Sequence, residues 1–191
     1  MIYNIYKDVK NMLKIKKVTN ESADKQQVME LYEEAFPPVE RMPFDLMLEI
    51  NNQDNADLCS VYDDDEFIAF YLLITHNKVA YVSFLAVVPA KRGQNYGSMI
   101  LDNIRSLYPD YSLLIDEEPV NPDSENYEQR LARERFYIRN GFRSTNYIVT
   151  AYGVDYEILS TSDNFELDDY RNIFASIGFN VANPNVKYST K

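Results

Sequence analysis

The sequence has 191 residues, 46% of them hydrophobic and 26% charged, so one domain can bury a sizeable core without disulfide staples. A single cysteine, Cys59, and a single histidine, His76, exclude an intramolecular disulfide, a His-rich metal site and any Ser-His-Asp or Cys-His scheme within one chain. Against 19 Lys and Arg stand 30 Asp and Glu, a formal charge of -11 that repels a phosphate backbone and argues against nucleic acid, while fitting either a cationic substrate or plain solubility.

The opening dozen residues, MIYNIYKDVKNM, fit no element and lack the unbroken apolar stretch of a signal peptide. No apolar run approaches the roughly 18 residues of a membrane span. Residues 1–11 therefore read as an N-terminal extension, residues 12–180 as a single domain and residues 181–191 as a loose tail, in a cytoplasmic protein with no membrane partner. LKIKKVT has strand character. Val28, Leu31, Tyr32, Ala35 and Phe36 recur at helical spacing, and Pro37 and Pro38 end that helix. A shorter helix near Pro43 carries Phe44, Met47 and Leu48, and the joint between the two holds Glu40 and Arg41. From Asp57 the period changes to that of strands, at LCSVY, FIAFYLLIT and VAYVSFLAVV, a meander whose last two runs are apolar enough for strands covered on both faces. The loop AKRGQNYG feeds a helix with Ile100, Leu101, Ile104 and Leu107, and the strand YSLLID then completes a parallel crossover. An acidic stretch, EEPVNPDSENYEQ, precedes the helix RLARERFYIRN, which stops at Gly141. YIVTAY and YEILS read as a terminal hairpin, followed by a helix presenting Leu167, Tyr170, Phe174 and Ile177. The pattern predicts an α/β (α+β) fold: a mixed, mostly antiparallel sheet of six to seven strands with helices on both faces.

A strand ending at Val88, then Pro89-Ala90-Lys91-Arg92-Gly93-Gln94-Asn95-Tyr96-Gly97-Ser98 and a helix, has the parts of an anion cradle, because amides at a helix N-terminus point at one place. It is neither a P-loop nor a dinucleotide fingerprint, since it lacks Gly-Lys-Ser/Thr and has only Gly93 and Gly97. Taken alone, such a turn is more often a tight connection. Its wider context decides. Val87-x-Pro89-x-x-Arg92-Gly93-x-x-x-Gly97-Ser98-x-x-Leu101 closely resembles motif A of the GNAT superfamily of acetyl-CoA-dependent N-acetyltransferases, and Phe136-Tyr137-Ile138-Arg139-Asn140-Gly141-Phe142 resembles the end of that family's motif B. The order of elements is similar to the family's over residues 13 to 160. Asn95 departs from the pattern, standing where glycine is usual; asparagine is the non-glycine residue most tolerant of left-handed dihedrals.

The resemblance implies a splayed sheet centre, with acetyl-CoA as cosubstrate and no metal. It implies that the loop from Arg92 to Ser98, through the amides of Arg92, Gln94, Asn95, Gly97 and Ser98 and with Gly93 and Tyr96 in its turn, holds the pyrophosphate. The exposed backbone at Ala86, Val87 and Val88 would pair with the pantetheine arm. The Arg92 side chain has two readings, a phosphate contact or a structural salt bridge with a nearby Asp or Glu. Tyr137 is the expected proton donor to the departing thiolate, against the alternative that it merely packs beside Phe136. Glu117 and Glu118 are the candidates for accepting the amine proton, against the alternative of a solvated acidic loop. Glu40 and Arg41 are expected to line the acceptor pocket. The acceptor expected is a small-molecule amine, cationic by preference. A GNAT-like domain that binds acyl-CoA without turnover, as a sensor or interaction module, is the alternative. The closing helix and the tyrosine-rich hairpin offer a surface for a homodimer.

Overall fold

Phe70, Leu72 and Ile74 alternate along one strand with Ala69, Tyr71 and Leu73, and each set is buried in a different core. A strand apolar on both faces needs a cover on each, and this one has it. The computed structural model describes residues 13–151, 153–178 and 185–188, and the expected extension at residues 1–11 lies outside them. Strands β1 (Leu13–Lys17), β2 (Ala56–Asp63), β3 (Glu66–His76), β4 (Val79–Val87), β5 (Ser112–Glu117), β6 (Arg143–Ala151), β7 (Val154–Ser160) and β8 (Asn185–Tyr188) form one sheet in the order β1-β2-β3-β4-β5-β7-β6-β8. Every pairing is antiparallel except that of β4 with β5. The sheet has one strand more than the largest expected number, because residues 185–188, expected in the tail, add to the free edge of β6.

Among the described residues five helices cover the sheet: α1 (Lys25–Ala35), α2 (Phe44–Asn51), α3 (Tyr96–Leu107), α4 (Tyr127–Arg139) and α5 (Leu167–Ser176). Val28 and Leu31 of α1, Met47 and Ile50 of α2, and Tyr170 and Ile173 of α5 share one core. Ile100, Leu101 and Ile104 of α3 share the other, with Phe136 and Tyr137 of α4 packed against it. Buried Asn51 ties the first layer to the sheet: its amide donates to the Val18 carbonyl at 2.5 Å and its oxygen accepts the Leu58 N–H at 2.6 Å. Asp24, just ahead of α1, likewise accepts the hydroxyls of Ser60 and Tyr62 at 2.5 and 2.8 Å. His76 closes the β3–β4 hairpin opposite Val79, across Asn77 and Lys78, both with positive φ as a two-residue hairpin turn requires. Cys59 is buried, and burial pushes its thiol up to about 12.

The feature that positions the site is where β4 and β5 part. Their parallel ladder runs through Val79↔Ser112, Ala80↔Leu113 and Tyr81↔Leu114 and stops. Beyond it β4 stays with β3, whereas β5 turns to β7 through Leu114↔Ser160 to Glu117↔Glu157. A bulge helps to divert β4, since Leu72 pairs with Phe84 and Leu73 with Val82, leaving Ser83 as the extra residue.

Candidate active site

The splay opens a cleft of about 1310 Å³ that reaches from the joint between α1 and α2, through the gap, to the N-terminus of α3 and the inner side of α4. Backbone alternation decides which strand residues serve it. Val88 donates its N–H to the Ile68 carbonyl at 2.9 Å, so Val88, and Ala86 two residues before it, turn their polar groups toward β3. Leu85 and Val87 turn theirs toward the gap. Of Ala86, Val87 and Val88, the three residues expected from the sequence, the register thus turns only the backbone polar groups of Val87 toward the gap, with those of Leu85, while Ala86 lines the cleft without them.

At the loop, Pro89–Lys91 form a single 3-10 turn, and the Arg92 N–H closes it on the Pro89 carbonyl at 3.2 Å. That amide, expected to hold a ligand, already has a partner. The Arg92 side chain makes no salt bridge to Asp or Glu among the described residues; its Nε donates instead to the Val87 carbonyl at 3.0 Å. Gly93 and Asn95 take left-handed φ values of 75° and 70°, so asparagine does adopt the conformation for which glycine is usual. The Gln94 amide group donates to the Ala90 carbonyl at 3.0 Å, which braces the loop. The first backbone bond into α3 runs from the Met99 N–H to the Asn95 carbonyl at 3.1 Å. The amides of Tyr96, Gly97 and Ser98 therefore point out of the helix end, with the positive end of its dipole behind them. Tyr96 anchors this turn through its hydroxyl, which donates to Asp63 at 2.6 Å. A Cβ on Gly93 would meet nothing within 4 Å, whereas one on Gly97 would lie 2.9 Å from Cζ of Phe136. Gly97 thus lets α3 and α4 approach each other, a packing role the loop pattern did not reveal.

Adjacent carboxylates on β5 serve different faces. Glu117 shares a face with Leu113 and Ile115, toward α4, and is 6% exposed. Burial pushes its carboxyl up to about 7, with Arg133 opposing and the charges of Glu134 and Glu157 assisting. Arg133 Nε approaches its Oε2 to 3.3 Å, off the hydrogen-bonding line, and neither atom has a hydrogen-bond partner among the described residues. Glu118 is committed elsewhere. It pairs with Arg130 Nη2 at 2.5 Å and Arg133 Nη2 at 3.2 Å, and it accepts the Asn126 amide at 3.3 Å. Of the two candidate bases the structure leaves Glu117 paired with Arg133 alone and with no hydrogen bond on Oε2, and braces Glu118 in a cluster with Arg130 and Arg133.

Tyr137 on α4 lines the same cleft, half-buried, its ring edge-on to Phe136 and Phe142. Burial, and then the charge of Glu117, raise its hydroxyl well above the ordinary tyrosine value, so it keeps its proton. Glu40 and Arg41 both line the cleft from the α1–α2 joint. Burial and then the charge of Glu118 raise the Glu40 carboxyl. Three cleft residues escaped the sequence reading: Asp116, Tyr81 and Tyr170. Both hydroxyls donate to Asp116 Oδ2, at 3.0 and 2.6 Å. The signal available was the strand period, which sets Asp116 on the face opposite Glu117 with Leu114; nothing local announced that α5 would bring Tyr170 to it.

Residues 54–144 match the family model described as the acetyltransferase (GNAT) domain. That segment has the sequence pattern of a GNAT acetyltransferase domain. A GNAT-family structure from Bacteroides thetaiotaomicron superposes with a TM-score of 0.67 at 22% identity, over 86% of this chain and 95% of its own. The ribosomal-protein-S18-alanine N-acetyltransferase from Escherichia coli gives 0.58 at 18% identity, over 81% and 99%. The PaiA N-acetyltransferase from Thermoplasma acidophilum, solved in complex with coenzyme A, gives 0.57 at 17% identity, over 79% and 99%. At these identities the likeness is one of fold, and it extends the GNAT architecture well beyond the matched segment. No curated protein matches the chain by sequence. Among the described residues no cluster of His, Cys, Asp or Glu has the arrangement of a metal site, and no helix is long and apolar enough to cross a membrane.

Proposed function

We propose that this GNAT domain transfers an acetyl group from acetyl-CoA to the primary amine of a small cationic acceptor, by direct attack in a ternary complex. The observation that carries the reading is the gap between β4 and β5, with β4 backbone that no strand pairs on one side and Glu117 and Tyr137 beside it. Bound acetyl-CoA would supply an activated thioester acetyl. The chain fits such a cosubstrate at both ends: the amides of Tyr96, Gly97 and Ser98 and the open space over Gly93 suit a pyrophosphate, and Leu85 and Val87 offer an extended amide chain a strand to pair with. In this reading Glu117, titrating near pH 7, accepts the proton of the attacking amine. As the carbon–nitrogen bond forms and the carbon–sulfur bond breaks, Tyr137 gives its proton to the departing sulfur and recovers one from water. Arg133 balances the charge of ionised Glu117 without sealing it in a hydrogen bond. Glu40 and Asp116, which line the cleft without an arginine or lysine at ion-pair distance among the described residues, suit a cationic acceptor.

The test is calorimetric titration with acetyl-CoA and with CoA, then an amine screen in which Tyr137→Phe is run beside the wild type. Turnover that falls in Tyr137→Phe while CoA affinity holds supports the enzyme. Tight CoA binding with no acetyl transfer to any amine would favour the acyl-CoA sensor instead, and no binding of either ligand at about millimolar concentration would sink both.

A further inference from the structure

Directly across from Glu117, in the antiparallel register of β5 with β7, stands a second glutamate, Glu157. Opposite residues of such a pair project to one face, and this face also carries Ile115 and Leu159 into the core beneath α3 and α4. Both carboxyls are recessed, Glu117 at 6% and Glu157 at 3% exposure. Glu117 lines the cleft, whereas Glu157 does not. Like charges placed directly opposite each other on a sheet are destabilising, the more so when recessed from water. β6 is nevertheless shaped to hold Glu157. Its register against β7 slips between Ser144 and Ile148, and within the slip Asn146 takes a φ of 62°. The Asn146 N–H donates to Ser144 Oγ at 3.0 Å, and the Ser144 hydroxyl gives its own proton to Glu157 Oε1. A hydroxyl that accepts from the backbone and donates to a carboxyl fixes that carboxyl oxygen as an acceptor. Glu117 differs: its Oε2 takes no hydrogen bond among the described residues, although Arg133 Nε stands 3.3 Å away.

The groups that face Glu117 come from two elements. α4 contributes Arg133, Glu134 and Tyr137, and β7 contributes Glu157. Glu118, next along the chain, is engaged with Arg130 and Arg133, and Asp116 lies on the opposite face of β5 with Leu114. Burial is the leading reason that the Glu117 carboxyl is raised to about 7; Arg133 opposes it, and the charges of Glu134 and Glu157 add to it. The charge of half-buried Glu134 is open to screening by salt, whereas that of Glu157 is enclosed.

We propose that Glu157, held by Ser144, is a positioning residue for the proton transfer: it and Glu117 act as one coupled pair, and when the pair holds a single proton that proton rests on Glu117, the member that faces the cleft. The inference rests on the acetyltransferase reading above for the use made of Glu117, but the pairing itself is read without turnover. Once the proton has left, Glu117 can take one from the attacking amine; this restores the singly protonated pair, which gives its proton to water before the next cycle. Side-chain carboxyl resonances of the full chain are followed by carbon NMR across the acid and neutral range. In the wild type the Glu117 and Glu157 signals are each expected to inflect at the same two pH values, as coupled sites do; one independent inflection for each would overturn the proposal without recourse to any variant. Glu157→Gln keeps an acceptor for Ser144 and removes the charge. It should move the Glu117 inflection, and the rising limb of kcat/KM with it, to lower pH by about one unit, at high salt as at low. Glu134→Gln is run beside it, and its shift should fade as salt is raised. A Glu117 inflection that stays in place in folded Glu157→Gln, or a Glu134 effect that outlasts that of Glu157 in salt, would overturn the proposal. If no amine is acetylated while the two wild-type signals inflect together, the enzyme reading fails and the coupled pair stands.

Discussion

Gly97 at the start of α3 lies against the ring of Phe136 on α4, where a Cβ would come within 2.9 Å of Cζ and 3.0 Å of Cε2. The two family motifs therefore meet physically through this glycine. Gly97→Ala is expected to lower stability by about 1–2 kcal/mol through overpacking, and Gly97→Ala combined with Phe136→Leu to recover most of the loss. Chemical denaturation of the four proteins checks this, and additive single effects would contradict the contact. Gly93→Ala behaves differently: its cost comes from the positive φ, about 1 kcal/mol, with no relief from Phe136→Leu.

Tyr137→Phe preserves the edge-on packing with Phe136 and Phe142 and removes the proton that the departing sulfur would take. A loss of roughly 10²-fold or more in kcat is expected, with the Kd for CoA changed by less than about twofold. Single-turnover kinetics beside calorimetry separates the two. Equal losses in kcat and CoA affinity would mean that the ring matters for binding and the hydroxyl for nothing.

The Glu117 carboxyl, pushed up to about 7 by burial, makes activity depend on pH. An ionised base is needed, so kcat/KM is expected to rise with pH through about 7 and then level, until the acceptor or Tyr137 intervenes. Glu117→Gln should remove that limb and leave a low, flat profile. The same shift carries a stability consequence of opposite direction. The folded state holds the Glu117 proton more tightly than the unfolded chain, whose carboxyl titrates near the usual glutamate value, so this group's contribution is present below that value and is lost as pH rises through about 7. Denaturation series at pH 5 and pH 8 measure it, and Glu117→Gln should flatten the difference.

Glu118→Ala removes the carboxylate that Arg130 and Arg133 share, at distances of 2.5 and 3.2 Å, on a site where the Glu118 side chain is 12% exposed. A loss of about 2–4 kcal/mol in stability is expected. The rising pH limb should survive in whatever activity remains. Should the limb vanish in Glu118→Ala and persist in Glu117→Gln, the roles of the two carboxylates would have to be exchanged.

Much of the fold was legible because it is written in local periods. The stripe Val28, Leu31 and Tyr32 and the run from Val79 to Val87 needed nothing but spacing, and Gly93, Asn95 and Gly141 take the positive φ values that their residue types allow. The site was less legible, because it depends on which of two alternating sets of groups faces an opening. Ala86 and Val88 differ from Leu85 and Val87 only in register against β3, which a bulge at Ser83 resets. Glu118 looked as available as Glu117 until α4 brought Arg130 to it. Asp116 acquired its meaning from Tyr170, fifty-four residues away in sequence, which no local pattern could connect. Residues 185–188 form a strand because β6 offers an unpaired edge, a property of the assembled sheet that short polar sequences do not advertise.

The bond from Arg92 Nε to the Val87 carbonyl gives the cleft a character beyond shape. The gap is internally satisfied at one of its few outward carbonyls, so an amide-bearing ligand that pairs there trades places with a guanidinium already in possession. Association at that point would exchange a charge-assisted bond for a neutral amide's, a loss to be recovered elsewhere, and would release a positive fork beside the α3 amides where a phosphate would arrive. Entry of the ligand at one end of the groove would then prepare the other end, so that the two ends are recognised in succession and a fragment representing either half alone would bind far more weakly than their product.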